Sequence, residues 1–192
     1  RSAKDPNQPG LVAWYAYKRK IFPEALEWFK LAITHGGDVM IAHGLAHTLR
    51  ELKLKRDTEE VAYAWREPLV NNAILFIDIL ERDLTKRIPP YIESARLLRY
   101  AQVTMDSAAG EGAQGLAWYA YNTCQFKVAL KWFRHAVAWH PKEATVYGLA
   151  VTLRRLKMKG EFWDLMNRYD GLFPKVIELI YPDDYVHPPT PC

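Results

Sequence analysis

The chain has 192 residues, of which 49% are hydrophobic and 25% charged, and a formal net charge of +4 at neutral pH. This balance is ordinary for a folded globular protein and excludes an extensively disordered chain. The longest apolar run, near residues 73–80, is interrupted by Asp78 and is too short to span a bilayer, so no transmembrane segment is expected. The mildly basic charge permits an acidic polymer or an anionic membrane as partner but does not require one.

Helical periodicity runs through the first third of the chain. The second helix should begin at Pro23, because proline suits the first turn of a helix. It places Ala25, Phe29 and Ala32 on one face and ends before the glycine pair at 36–37. The pattern predicts four helices here, over 11–19, 23–35, 39–53 and 57–64.

The rest of the chain is also predicted to be helical. Two longer central helices are separated by Pro89 and Pro90, and a glycine-containing stretch at 108–112 leads out of them. The predicted helices cover 69–86, 91–107, 113–122, 126–138, 143–157, 160–169 and 174–180.

One segment of the sequence occurs twice. Residues 14–56 align without a gap to residues 118–160, and 19 of the 43 aligned positions are identical. The identical residues are mostly aromatic, small or aliphatic, as a duplicated packing unit requires. They include Trp14, Tyr15, Ala16, Tyr17, Phe22, Ala25, Leu26, Trp28, Phe29, Ala32, Gly44, Leu45, Ala46, Thr48 and Leu49, each 104 positions before its counterpart.

The spacing within each copy resembles the tetratricopeptide repeat. In the second copy the small and aromatic residues of that pattern stand at Ala117, Phe126, Ala129, Phe133, Ala136 and Pro141; the first copy has Gly37 in place of the proline. The resemblance implies an all-α, tetratricopeptide-like α-solenoid of antiparallel helix pairs. Such pairs must stack on their neighbours to bury their apolar faces.

The predicted solenoid is one domain over 10–181. It comprises a first repeat unit at 10–68, a central helix pair at 69–112 and a second repeat unit at 113–181. The ends, 1–9 and 182–192, are expected to be flexible, and the chain is expected to be a fragment of a longer protein. Cys124 and Cys192 fit no metal or redox motif and leave the compartment open.

A narrower resemblance concerns the second copy. The phrase from Gly115 to Asn122, followed by Phe126, Trp132 and Trp139, is similar to the periplasmic repeat arms of bacterial exopolysaccharide (cellulose) export proteins. This resemblance implies a non-enzymatic, periplasmic scaffold of the export machinery. The alternatives are a peptide-binding adaptor in the cytoplasm and, third, a regulatory domain attached to an enzyme.

In tetratricopeptide-like packing the first helix of each pair lines a concave groove. The groove candidates are Trp14, Tyr17, Lys18, Thr48, Glu51, Trp118, Tyr121, Asn122, Thr152 and Arg155. Aromatic faces beside polar groups can hold a peptide or stack on sugars, so the expected partner is a protein or peptide, with polysaccharide as a further option. For the tryptophans, packing between helices is the favoured interpretation; the positions that differ between the copies are better candidates for specificity.

Cations recur near the end of the third helix in each copy. Arg50, Lys53, Lys55, Arg154, Lys157 and Lys159 form this predicted basic rim. Cations at a helix C-terminus are stabilised by the helix dipole, which is a sufficient structural reason for them. They could also attract an acidic glycan or a phospholipid. Nucleic acid is not expected, because no recognised nucleic-acid-binding motif accompanies them.

No enzyme is predicted. The sequence has no phosphate-binding loop and no nucleophile in a recognisable context, and no cofactor is expected. His43 and His47 have a spacing that can bind zinc, but Tyr147 and Val151 replace them in the second copy. Both positions therefore accept apolar residues, and two partly buried histidines are the favoured interpretation.

Overall fold

The computed structural model describes residues 5, 7–181 and 192, which form eleven α-helices and one 3-10 turn and include no β-strand. Contacts divide the chain into two compact units, Arg1–Ile79 and Leu80–Cys192. The single domain predicted over 10–181, with its three parts, stays a prediction. The helices are α1 Asn7–Lys18, α2 Phe22–Thr34, α3 Val39–Glu51, α4 Lys55–Ala64, α5 Val70–Leu84, α6 Ser94–Asp106, α7 Gly110–Asn122, α8 Phe126–Trp139, α9 Glu143–Arg155, α10 Lys159–Arg168 and α11 Pro174–Ile177, followed by the 3-10 turn Glu178–Ile180.

Two helices begin at least three residues earlier than the sequence pattern predicts. α1 begins at Asn7, so residues 7–9, predicted to belong to a flexible end, are helical. Pro9 lies in the first turn of α1, where a missing N–H costs nothing. α7 begins at Gly110 rather than 113, because the glycine-containing stretch is helical and packs closely on its neighbours. The other predicted flexible residues, 1–4, 6 and 182–191, lie outside the described residues.

An aromatic row organises the first unit. The ring of Trp14 meets that of Phe29 edge-on, with centroids 5.1 Å apart and planes at 88°. Tyr17 continues the row from Trp14 at 5.7 Å to Phe22 at 5.5 Å. Edge-to-face pairs at such distances are favourable beyond the apolar area that they bury. The row therefore fixes α1 against α2.

The second unit repeats this row with the equivalent residues. Trp118 meets Phe133 at 5.0 Å and 84°, and Tyr121 lies between Trp118 at 5.5 Å and Phe126 at 5.2 Å. Phe29 and Phe133 are both fully buried. The sequence duplication thus corresponds to the same side-chain packing in each unit.

A glycine in the third helix of each copy makes room for the buried phenylalanine. A Cβ atom added to Gly44 would collide with the ring of Phe29, and one added to Gly148 would collide with that of Phe133. In both copies a threonine one turn later hydrogen-bonds back to this glycine: Thr48 Oγ1 donates to the Gly44 carbonyl at 2.8 Å and Thr152 Oγ1 to the Gly148 carbonyl at 2.7 Å. Only a residue without a side chain lets helix and ring approach so closely.

The ends of the helices are also repeated. Lys20 and Cys124, 104 positions apart, both have positive φ (60° and 66°), as do Lys53 and Lys157 (64° and 58°). After Cys124 the N–H of Gln125 donates to the Ala120 carbonyl at 2.8 Å, which is the six-to-one bond of the Schellman motif. The motif ends each helix by satisfying carbonyls that would otherwise have no partner in the helix.

A network of charges joins α7 to the turn before α9 in the second unit. Glu111, in the first turn of α7, accepts from Lys142 Nζ at 2.7 Å and lies 2.9 Å from His140 Nδ1. Burial alone would raise the pKa of Glu111, but the hydrogen bonds from Lys142 and His140 outweigh it and lower that pKa. The carboxylate is therefore held in its charged form.

A disulfide joins Cys124, in the turn between α7 and α8, to Cys192. The two Cα atoms are 6.1 Å apart, within the range usual for disulfides. The sequence alone does not indicate this bond, because neither cysteine belongs to a metal or redox motif. The bond closes a covalent loop that contains α8 to α11.

We expect Gly148→Ala to lower the free energy of unfolding by about 1–3 kcal/mol, because the new methyl group would overlap the Phe133 ring. Urea unfolding followed by circular dichroism measures the change. Gly160→Ala is the matched control: it lies in α10 with nothing within 4 Å of an added Cβ, so it should be neutral or stabilising by up to ~1 kcal/mol. Equal effects of the two changes would contradict the proposed close packing.

Candidate functional site

In the first unit the groove candidates divide into packing residues and surface residues. Trp14 is half-buried and packed in the aromatic row. Thr48 is fully buried. Lys18 and Glu51 are exposed. Burial, then the charge of Glu51, raises the pKa of the half-buried Tyr17, while Arg50 opposes the shift. The phenol of Tyr17 therefore stays protonated and lies near these two charges.

The second unit places the equivalent candidates differently. Tyr121 is only 1% exposed and Thr152 is fully buried. Trp118 is half-buried, and the half-buried Asn122 donates from Nδ2 to the Lys86 carbonyl at 3.0 Å. Arg155 is exposed and its guanidinium lies 4.9 Å from the centre of the Phe126 ring. This cation–π contact holds the side chain against α8.

These positions separate the candidates by what they can reach. Thr48, Tyr121 and Thr152 lie in the interior and cannot contact a ligand unless the helices move apart. The exposed charges Lys18, Glu51 and Arg155 are accessible to a partner. A binding role for the groove stays a prediction, which substitutions of these three side chains can test.

The histidine pair lies on α3 in the first unit. The rings of His43 and His47 meet edge-on at 4.4 Å, and His43 Nδ1 is 2.6 Å from Oδ1 of the buried Asn72. Asn72 Nδ2 in turn donates to the Trp65 carbonyl at 3.0 Å. Burial, with smaller contributions from His43 and Arg50, lowers the pKa of His47 to about 4. His47 is therefore neutral near pH 7, and the pair joins α3 to the start of α5.

The described residues contain no group of three or more His, Cys, Asp or Glu side chains placed to hold a metal ion. Within the same residues, no helix has the length and apolar character needed to cross a membrane.

The residues of the basic rim are on the surface in the first unit, where Arg50, Lys53 and Lys55 are exposed. In the second unit Lys157 and Lys159 are exposed, but Arg154 is half-buried. The structure places Arg154, Lys157 and Lys159 around one cavity. The sequence indicated only a row of positive charges.

That cavity, named here the α9–α10 pocket, has a volume of about 430 Å³. Its described lining residues are Arg154, Lys157, Met158, Lys159, Phe162, Trp163, Leu179 and Ile180. Arg154 Nη1 donates to the Leu179 carbonyl at 2.9 Å, which ties α9 to the 3-10 turn. Phe162 and Leu179 are buried, and Trp163 is 48% exposed. The pocket thus combines an apolar floor with three cations.

Sequence reasoning missed the apolar half of the α9–α10 pocket. Continuing the 43-residue alignment at its offset of 104 positions pairs Phe162 with Thr58 and Trp163 with Glu59. α4 and α10 share only their first residue, and the two aromatic replacements among these differences were the available signal. Phe162 and Trp163 lie just beyond residues 118–160, which form the second copy of the repeated segment.

Comparison of the sequence with models of protein families gives no match, and comparison with curated proteins gives none. Among solved structures the chain is similar to MamA. It shares 14% identity with residues 41 to the end of MamA from Desulfovibrio magneticus RS-1, with a TM-score of 0.57 over 94% of this chain and 97% of that one. A structure of MamA AMB-1 gives 13% identity and a TM-score of 0.59, with 91% of each chain covered.

At this level of identity the similarity concerns the fold alone. Together with the helix-only architecture of the described residues, it confirms the predicted all-α, tetratricopeptide-like helical repeat. The resemblance to exopolysaccharide export proteins has no counterpart in these comparisons.

His47 should make stability depend on pH. His47 has an ordinary pKa of 6.5 when unfolded and about 4 when folded, so the unfolded chain binds more protons between these values. The free energy of unfolding should be fully retained above pH 6.5 and fall by about 1–2 kcal/mol as the pH is lowered to 4, since solvent screens a half-buried group. Urea titrations at several pH values measure this.

The matched control is His47→Val, which introduces the residue that the second copy has at this position. In this variant most of the decrease in the free energy of unfolding between pH 6.5 and 4 should disappear, although His43, Arg50 and Glu51 are unchanged. An unchanged pH dependence in His47→Val would assign the effect to other groups.

Proposed function

We propose that this chain is a non-enzymatic protein-interaction scaffold within a larger bacterial envelope protein that takes part in exopolysaccharide synthesis or export. The observation that carries the scaffold role is how the two copies differ. The aromatic row and the contact between phenylalanine and glycine are the same in both, whereas Lys18 and Glu51 are replaced by Asn122 and Arg155. Packing does not dictate such replacements. Two units with the same packing and different surface residues are suited to recognising a partner.

The Cys124–Cys192 disulfide supports an oxidising compartment. Disulfides persist in the bacterial periplasm and in secreted proteins, while cytosolic thiols are kept reduced. We therefore propose a periplasmic location. The alternative, a peptide-binding adaptor in the cytoplasm, would use the same groove but would have both cysteines reduced.

The export role itself rests on the resemblance of α7 and α8 to the repeat arms of export proteins. In this proposal the chain holds another protein beside a passing polysaccharide and changes neither chemically. Direct contact with polysaccharide would involve the half-buried rings of Trp14 and Trp118, whose faces are partly used in packing.

The disulfide should be present in the source cell and should stabilise the fold. Source cells are quenched in acid, and free thiols are labelled with a maleimide that adds mass. The wild-type chain should be labelled only after a reductant is added. The Cys124→Ser variant should carry one label. Reduction should lower the free energy of unfolding by about 2–4 kcal/mol, because it reopens a long covalent loop. Two trapped thiols in untreated cells would remove the support for a periplasmic location.

Charge reversal at the exposed groove positions should abolish partner capture. The test compares the wild type with Lys18→Glu, Glu51→Lys and Arg155→Glu combined, by affinity capture from source-cell envelopes and mass spectrometry. The matched control reverses three exposed charges outside the groove, Lys30→Glu, Glu60→Lys and Arg168→Glu.

Export-machinery proteins that the wild type and the control retain, and that the groove variant loses at least fivefold, would support the scaffold role. Equal retention by all three would show that the groove is not the contact surface. The identities of the retained proteins decide between the export role and the adaptor alternative.

A further inference from the structure

We propose that the α9–α10 pocket binds a segment of a partner protein in which one aromatic or large aliphatic side chain is flanked by acidic residues. The inference rests on the proposed scaffold function and names the chemistry of the partner at a site away from the groove candidates. Its support comes from the floor of the pocket, its charges and the corresponding region of the first unit.

The floor of the pocket suits one large apolar side chain. Phe162 and Leu179 are buried beneath it, and Met158 and Ile180 are half-buried at its sides. A volume of about 430 Å³ exceeds that of any single side chain, so an aromatic anchor could enter together with its own backbone. Aromatic residues are the commonest anchors of such contacts.

Trp163 extends the apolar floor to the surface. Its ring meets that of Phe162 edge-on at 5.5 Å, yet the side chain remains 48% exposed. Tryptophan is enriched where proteins bind one another, since it combines a large apolar face with an N–H donor. A partner that covers it would bury this apolar surface.

The charges around the pocket select the residues beside the anchor. Arg154, Lys157 and Lys159 line it, and no carboxylate occurs among its described lining residues. Arg154 uses one guanidinium nitrogen on the Leu179 carbonyl, which positions the remaining N–H groups without occupying them all. Carboxylates placed next to the anchor would therefore meet an oriented guanidinium and two ammonium groups.

The first unit lacks this combination although it has the same cations. Arg50, Lys53 and Lys55 occupy the equivalent positions, but Thr58 and Glu59 stand where the second unit has Phe162 and Trp163. Glu59 is 1% exposed and its Oε1 lies 2.9 Å from Arg56 Nη1. Thr58 and the buried Glu59 thus replace the two aromatic residues, so the first unit has the equivalent cations without the aromatic part of the pocket.

The experiment measures binding of synthetic peptides to the full chain by fluorescence anisotropy. The probe is a fluorescein-labelled peptide with the sequence Gly-Glu-Glu-Phe-Leu-Glu-Glu-Gly, which does not occur in this chain. A second peptide with serine in place of phenylalanine and leucine keeps the charge and removes the anchor. The protein variants are Lys157→Glu with Lys159→Glu, Lys53→Glu with Lys55→Glu as the matched control, and Trp163→Ala with Trp163→Gln, which also removes the ring but leaves a longer side chain.

We expect saturable binding of the first peptide that weakens at least tenfold in the Lys157/Lys159 variant and in both Trp163 variants. It should change less than twofold in the Lys53/Lys55 variant, which has the same net charge. The serine peptide should bind at least tenfold more weakly than the first. Circular dichroism spectra that match the wild type show that the variants remain folded.

Four outcomes would overturn the proposal: no saturable binding up to millimolar protein, equal weakening by the two charge variants, equal binding of the serine peptide, or full binding in both Trp163 variants. Tighter binding of an eight-residue oligothymidylate, lost in the same variants, would assign the pocket to nucleic acid instead.

Capture through Lys18, Glu51 and Arg155 uses other residues. If the peptide does not bind but partner capture through the groove is observed, only the pocket assignment is removed. If the peptide binds but the wild type captures no partner that the groove variant loses, the groove assignment is removed.

Discussion

The structure depends most on the close approach of a buried phenylalanine to a glycine in the third helix of each copy. Phe29 packs on Gly44 and Phe133 on Gly148, and each ring also receives the edge of a tryptophan from the first helix. Three helices therefore meet at one aromatic ring. Because protein interiors are close-packed, a contact of this kind tolerates little change in volume on either side. The same constraint explains why both copies kept these residues while their surfaces changed.

This arrangement separates the residues that build the fold from those able to recognise a partner. The aromatic row uses the rings of Trp14, Tyr17 and their counterparts for packing. The exposed charges at the ends of the helices are left available, and their identity differs between the copies. The most distinctive surface combines both kinds of residue: the pocket between α9 and α10, where Trp163 lies beside three cations. The proposed recognition of a partner therefore depends on departures from the repeat more than on the repeat itself.

Much of the fold could be predicted from the sequence because it follows from local periodicity and from internal repetition. The spacing of Ala25, Phe29 and Ala32 gives both the helix and its buried face. The start of α7 was not predicted, since Gly110 and Gly112 look like a linker until their close contacts with His140 and Thr104 are known. The pocket was not predicted: its cations are repeated and visible in the sequence, but Leu179 and Ile180 reach them only through tertiary folding. The link between Cys124 and Cys192 could not be predicted, because no sequence pattern relates two cysteines so far apart.

The disulfide also determines how the second unit would respond to a pulling force. Tension applied at residue 192 passes through the bond to the turn between α7 and α8, where Cys124 lies. The helices from α8 to α11 are then outside the path of the force and need not unfold to transmit it. Mechanical load is instead borne by α7, which packs against α8 through the row of Trp118, Tyr121 and Phe126. While the bond is intact, the α9–α10 pocket lies within the closed loop and outside the path of this force.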